Sequence, residues 1–173
     1  KGWVYLEGDS NPENDEVIET IVKTLNFMLF DEEQHNFGSA GQTHFNTVYM
    51  PEDFSMYEEI LIYVDLECPV GGCDPWDQPA MLYIMKDGAE LEILRYITPY
   101  GVACGGWIFD VTDFKLLMEG KTVFESIIRV WGASGWLVNM EMEFVPGTPE
   151  YPYVKVDPLW NENYWVYGDT AIS

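Results

Sequence analysis

Between Trp136 and Val145 the chain changes chemical character at almost every residue: Met140, Met142 and Phe144 alternate with Asn139, Glu141 and Glu143. A period of two sends successive side chains to opposite faces of an extended strand, so this segment has one wet face and one buried face. Other segments are suited to pair with it. Phe45 to Met50 and Glu59 to Leu66 are apolar-rich and bounded by Pro51 and Pro69. Ala80 to Met85 runs into Lys86-Asp87-Gly88, a hairpin signal, and Leu91 to Ile97 supplies the returning strand. Glu125 to Trp131 and Trp136 to Val145 read as a second hairpin around Gly132 to Gly135. Lys1 to Leu6 also alternates and reads as a strand. In Val17 to Phe30 the spacing of Val17, Ile18, Ile21, Val22 and Leu25 suits a helix, but the Thr, Val and Ile content places the segment in a strand.

One helix is expected. Trp107 to Asp110 leads into Val111-Thr112-Asp113, where Thr112 or Asp113 caps a short helix through Met118, and Gly120 stands where it should stop. Asp9 to Glu16, with Asn11-Pro12, is an acidic loop, and Asn36 to Gln42 is a second loop of small residues. From Pro146 onward the prolines 149, 152 and 158 give the chain the look of an exit segment. Many short strands with turns between them and one short helix make an all-β sandwich or barrel.

The chain's 173 residues fit one domain with a substantial core, and its 47% apolar and 16% aromatic content excludes disorder. Eight basic against 30 acidic residues, a formal charge of −22, argue against nucleic acid and against anionic membrane surfaces as partners. No stretch is long and apolar enough to span a bilayer. A neutral sugar remains open, and so does a metal. His35 and His44 lie in or near one loop without a partner cluster, so a metal site is not expected. Cys68 and Cys73 enclose Pro69-Val70-Gly71-Gly72, which a small disulfide ring could close; a reduced buried pair and a zinc half-site are the alternatives. Cys104 reads as a spare thiol packed in a turn.

The densest chemistry lies in Glu67 to Asp77, where three carboxylates, Glu67, Asp74 and Asp77, and Trp76 surround that cysteine loop. Carboxylates serve general acid–base work on sugars and amides, and an indole face is what a pyranose ring stacks on. The plainer alternative is that Asp74 and Asp77 are solvated or cap local backbone N–H groups and that Trp76 is core. Trp131 and Trp136 form either a second aromatic platform or core, and core is the better reading for both. Arg129, two residues before Trp131, shares its face, with an exposed salt bridge as its plainer role.

Four blocks in order and in register carry a family resemblance: Glu67-Cys68-Pro69 through Cys73-Asp74 to Trp76-Asp77; Arg95-Tyr96-Ile97-Thr98-Pro99-Tyr100; Asp110 to Lys115; and Gly147-Thr148-Pro149-Glu150-Tyr151. The chain from Thr24 to Val156 resembles the N-terminal domain of the peptide-N-glycosidase F family. The resemblance implies an antiparallel eight-stranded jelly-roll sandwich, a Cys68–Cys73 disulfide, and a second jelly-roll domain packed against this one with the active site in the cleft between them. It implies hydrolysis of the amide joining an N-glycan to asparagine, with no metal or organic cofactor, in a secreted, periplasmic or cell-surface protein. Asp77 then matches the principal catalytic aspartate, and Trp76 and Trp131 match cleft aromatics. Two positions depart. Arg129 stands where the family has a functional glutamate, and Gln78 where it has an arginine; both are candidate substrate-binding residues. Residues 1–23 and 157–173 are expected to be joints to neighbours, the latter leading toward the second domain, without which the chain is expected to be inactive. A non-catalytic glycan- or glycoprotein-binding module is the alternative, and a purely structural sandwich a third reading.

Overall fold

The computed structural model describes Gly2–Trp3, Glu16–Val17 and residues 22–150. Gly2–Trp3 (β1) and Glu16–Val17 (β2) form a short antiparallel pair. The rest of Lys1 to Leu6, the acidic loop and the exit segment beyond 150 lie outside the described residues, as do most of residues 1–23 and all of 157–173.

Eight further strands follow: Leu25–His35 (β3), Thr43–Tyr49 (β4), Tyr57–Glu67 (β5), Pro79–Lys86 (β6), Ala89–Ile97 (β7), Cys104–Asp110 (β8), Lys121–Ile128 (β9) and Trp136–Pro146 (β10). They form two four-stranded antiparallel sheets, ordered β3-β10-β5-β8 and β4-β9-β6-β7. Every connection from β3 to β10 crosses between sheets except the β6–β7 hairpin, which is the jelly-roll path. The described residues therefore form an all-β, eight-stranded antiparallel jelly-roll-like sandwich, with one short helix among them.

The core follows the period of two. Met140, Met142 and Phe144 of β10 are buried, as are Ile60, Ile62, Val64 and Leu66 of β5, and both sets face Leu82 and Ile84 of the other sheet. Phe144 stacks on Phe54 at 5.4 Å, and Tyr96 meets Trp107 and Phe109. The Lys86-Asp87-Gly88 turn forms as expected, with Asp87 and Gly88 both at positive φ (52° and 82°) and Lys86 paired to Ala89. Consecutive positive φ values match a primed turn to the strand twist.

Several local expectations are corrected. β9 and β10 are not a hairpin: β9 pairs with β4 and β6, β10 with β3 and β5, and residues 129–135 carry the chain across the sandwich. Of the strand expected over Val17 to Phe30, Val17 belongs to β2 and residues 18–21 lie outside the described residues; β3 begins at Leu25 and runs on to His35, bulged where Glu32 takes φ 48° and donates its N–H to Asn139 Oδ1 at 2.8 Å. The helix is a 3-10 turn, Thr112–Leu117, capped by neither Thr112 nor Asp113. Asp110 Oδ1 accepts the Thr112 N–H at 2.9 Å, while Thr112 Oγ1 accepts the Ile60 N–H at 2.8 Å and so ties the helix to β5. Cys104 sits in no turn; it opens β8 opposite Leu66, a half-buried free thiol.

Candidate functional site

In this topology the ends of β3, β5, β7 and β9 and the starts of β4, β6, β8 and β10 all lie at one pole of the sandwich. Four inter-sheet loops, 36–42, 68–78, 98–103 and 129–135, therefore gather there. Antiparallel pairing sets their order: Pro79 at the start of β6 lies opposite Ile97 at the end of β7, and Ala80 lies opposite Ile128 at the end of β9. Asp77, Tyr100 and Trp131, each two or three residues beyond those strand ends, are thus neighbours by construction.

Cys68 and Cys73 form a disulfide that closes the first part of loop 68–78. Trp131 is 78% exposed, so the expectation of core for it is corrected; for Trp136, fully buried, it holds, and Trp76 at 61% exposure does not take its plainer alternative of core. Trp131 lies beyond the end of β9, where no facing sheet covers it, whereas Trp136 opens β10 opposite His35. Asp77 is exposed, and its carboxylate accepts the hydroxyl of the equally exposed Tyr100. That hydrogen bond, followed by the Asp77 charge, raises the Tyr100 pKa above its usual value. Gln78 is withdrawn to 7% exposure, its backbone bonded both ways to Thr98: its N–H to Oγ1 at 2.9 Å, and its carbonyl to the Thr98 N–H at 2.9 Å. Arg129 is exposed and donates its backbone N–H to Pro79 at 3.2 Å, with buried Val130 between it and Trp131.

One residue of the pole, Tyr100, was not singled out by sequence; it lies in a recognisable block but reaches Asp77 from a different loop. Asp74 was singled out as a carboxylate of the cysteine loop, with solvation or a local cap as its plainer role, but not for the role it takes. It does cap locally, accepting the Trp76 N–H on Oδ1 at 2.9 Å, but it is fully buried and its Oδ2 also accepts the Gly132 N–H at 2.8 Å. The first bond is legible as an Asx turn; the second spans 58 residues and has no local signal.

A cleft of about 550 Å³ lies on the outer face of β3-β10-β5-β8, between Met28, Glu32, Asp65, Cys104 and Asn139, and reaches Glu67 and Ala103 at the edge of the pole. Trp76, Asp77 and Tyr100 do not line it. Among the described residues no group of three or more His, Cys, Asp or Glu is placed to hold a metal ion. No helix among them is long and apolar enough to cross a membrane.

No family model matches the chain. It is, however, 35% identical over 147 residues to the peptide-N(4)-(N-acetyl-beta-D-glucosaminyl)asparagine amidase F of Elizabethkingia miricola, across 81% of this chain and 42% of that protein. The solved structure of PNGase F, a glycosylasparaginase from Flavobacterium meningosepticum, superposes with a TM-score of 0.70 at 34% identity, over 76% of this chain and 45% of that one. The chain is homologous to the peptide-N-glycosidase F family. The crystal structure of a peptide-N(4)-(N-acetyl-beta-D-glucosaminyl)asparagine amidase matches with the same TM-score at 35% identity, over 76% of this chain and 44% of that one. PNGF-II, at 14% identity and a TM-score of 0.63 over 82% of this chain and 36% of that one, shares the fold. This chain spans less than half the length of amidase F and of each of the solved chains it matches.

Proposed function

We propose that this chain is the N-terminal jelly roll of an N-glycan amidase, presenting Asp77 to the amide that joins the first GlcNAc to asparagine. The observation that carries the reading is an exposed carboxylate bonded to an exposed tyrosine hydroxyl, with the Trp76 and Trp131 indoles open to solvent at the same pole. In this reading Asp77 takes a proton from water, whose oxygen attacks the side-chain amide carbon. The C–N bond then breaks, the proton passes to the departing nitrogen, and the products are aspartate and a glycosylamine. Tyr100 fixes the orientation of the Asp77 carboxylate and leaves its other lone pairs open to water. The indoles offer flat apolar faces to the sugar rings, and the 68–73 disulfide stiffens the loop that carries one of them. A second jelly roll closes the cleft over this pole and supplies a further carboxylate. A disulfide suits an oxidising compartment, so we place the protein outside the cytoplasm, secreted, periplasmic or cell-surface.

Arg129 favours a second reading. A guanidinium is always charged and cannot serve as a carboxylate base, but its fork of donors suits the hydroxyl and acetamido oxygens of a bound glycan. A module that binds without turnover would have this composition.

The test is a denatured N-glycoprotein incubated with the chain, alone and joined to a second jelly roll of the family. We expect glycan release, with conversion of asparagine to aspartate, from the joined protein, reduced by about 10²–10⁴-fold in Asp77→Asn. Binding of N,N′-diacetylchitobiose without turnover by the joined protein would move the assignment to the binding module. Absence of both would sink both readings.

A further inference from the structure

Trp76 and Asp77 belong to one loop, Tyr100 to a second and Trp131 to a third. Loops on a sandwich pole do not hold such a group in register by themselves, because none has a ladder of its own. Gln78 with Thr98 and Arg129 with Pro79 tie neighbouring segments in pairs, but the residue on which all three loops meet is Asp74. Its Oδ1 accepts the Trp76 N–H at 2.9 Å and its Oδ2 the Gly132 N–H at 2.8 Å. Its backbone N–H donates to the Gly135 carbonyl at 3.0 Å, and its carbonyl accepts the Gly101 N–H at 3.0 Å. These four hydrogen bonds of one fully buried residue all lead to loop backbone, and three loops meet on it.

The neighbours are matched to this role. A Cβ on Gly132 would lie 2.8 Å from Asp74 Oδ2, so a side chain there would push loop 129–135 off the carboxylate. Gly101 takes φ +62° where it donates to Asp74, and Gly135 takes φ +69° against His35, where a Cβ would overlap the carbonyl. Glycine is required at these positions for two reasons, close approach at 132 and left-handed backbone at 101 and 135.

We infer that Asp74 is the positioning residue of this pole: its buried carboxylate sets the separation and orientation of the Trp76–Asp77 loop relative to the Trp131 loop, and so the geometry in which a glycan is gripped. The inference rests on the proposed glycan reading for what is gripped, but not for the positioning itself. An Asp is needed because both oxygens accept. Asn keeps one acceptor and turns an NH₂ toward the other backbone N–H, so Asp74→Asn severs one loop tie at nearly constant volume.

The experiment labels the chain with 5-fluorotryptophan, assigns Trp76, Trp131 and Trp136 by single Trp→Phe variants, and compares ¹⁹F spectra and N,N′-diacetylchitobiose affinity of wild type, Asp74→Asn and Gly132→Ala. We expect Trp76 and Trp131 to shift or broaden in Asp74→Asn while Trp136, in the core, stays where it is, and affinity to fall about tenfold or more. Gly132→Ala, which disturbs one tie only, should move Trp131 in the same way, and combining the two should cost no more than about twofold beyond the worse single variant. Unmoved Trp76 and Trp131 resonances would overturn the inference, as would a Trp136 resonance that moves with them in Gly132→Ala, since that marks general loosening. If Asp74→Asn does not fold, Gly132→Ala decides alone. Moved indoles with no chitobiose binding by wild type, either alone or joined to a second jelly roll, would leave the positioning role standing and remove the glycan reading. Binding that Asp74→Asn retains, with unmoved indoles, would do the reverse.

Discussion

Just beneath the loop pole, His35 is fully buried at the end of β3 and stands 4.5 Å, ring to ring, from His44. Burial, and next the His44 charge, lower its pKa from 6.5 to about 4. Its ring nitrogens face the Glu33 and Ser126 carbonyls, each at 3.2 Å, and these bonds oppose the shift without reversing it. The folded pKa is below the unfolded one, so the unfolded chain binds the proton first. The stability that neutral His35 contributes is therefore complete above pH 6.5 and is lost as pH falls toward 4, amounting to roughly 3 kcal/mol. We expect urea unfolding of wild type to show this loss between pH 6.5 and 4, and of His35→Gln to show much less. Parallel curves for the two proteins would refute it. Single residues also show where sequence reading stops. Trp131 and Trp136 are five positions apart with similar neighbours, yet one is 78% exposed and the other fully buried. Residue type predicts an average burial, and only the position relative to the strand end separates the two.

At the scale of elements, most strands were legible from alternation, as in β10, or from a bounded apolar run, as in β6, and the β6–β7 turn was legible because it is chemically specific. Gly88 at φ 82° has the left-handed backbone that a Cβ disfavours. Gly88→Ala should cost about 1 kcal/mol by urea unfolding, with the rest of the fold unchanged; an unaltered midpoint would show that the turn does not need its glycine. The same kind of signal misled at Gly132 to Gly135. Glycines between two apolar strands announce that the chain reverses, but not whether the second strand pairs with the first or crosses to the other sheet. That choice depends on the partners waiting for each edge, β4 and β6 for β9, β3 and β5 for β10. The helix cap failed for a related reason: the Thr112 hydroxyl had a better use, accepting the Ile60 N–H from another element.

The molecule as a whole is uneven in charge. β3, β5, β8 and β10 hold no Lys or Arg, but three, four, one and two acids respectively. With a formal charge of −22 over the chain, self-repulsion opposes the compact state, and mobile ions screen it over about 10 Å at 0.1 M salt. The thermal midpoint should rise by roughly 2–5 °C between 10 and 500 mM NaCl. A flat or falling midpoint would mean that the acids are already neutralised by specific contacts. The sequence alone determined the all-β class, most strand positions, the hairpin at Gly88 and the block of residues in which Trp76 and Asp77 stand. All of these are written in the spacing and chemistry of near neighbours. The pairing of strands into two sheets, the exposure of Trp131, the Tyr100–Asp77 bond and the reach of Asp74 across 58 residues to Gly132 were decided by tertiary structure. They depend on which backbone donors and acceptors the fold leaves unpaired at its pole, and no local pattern encodes that.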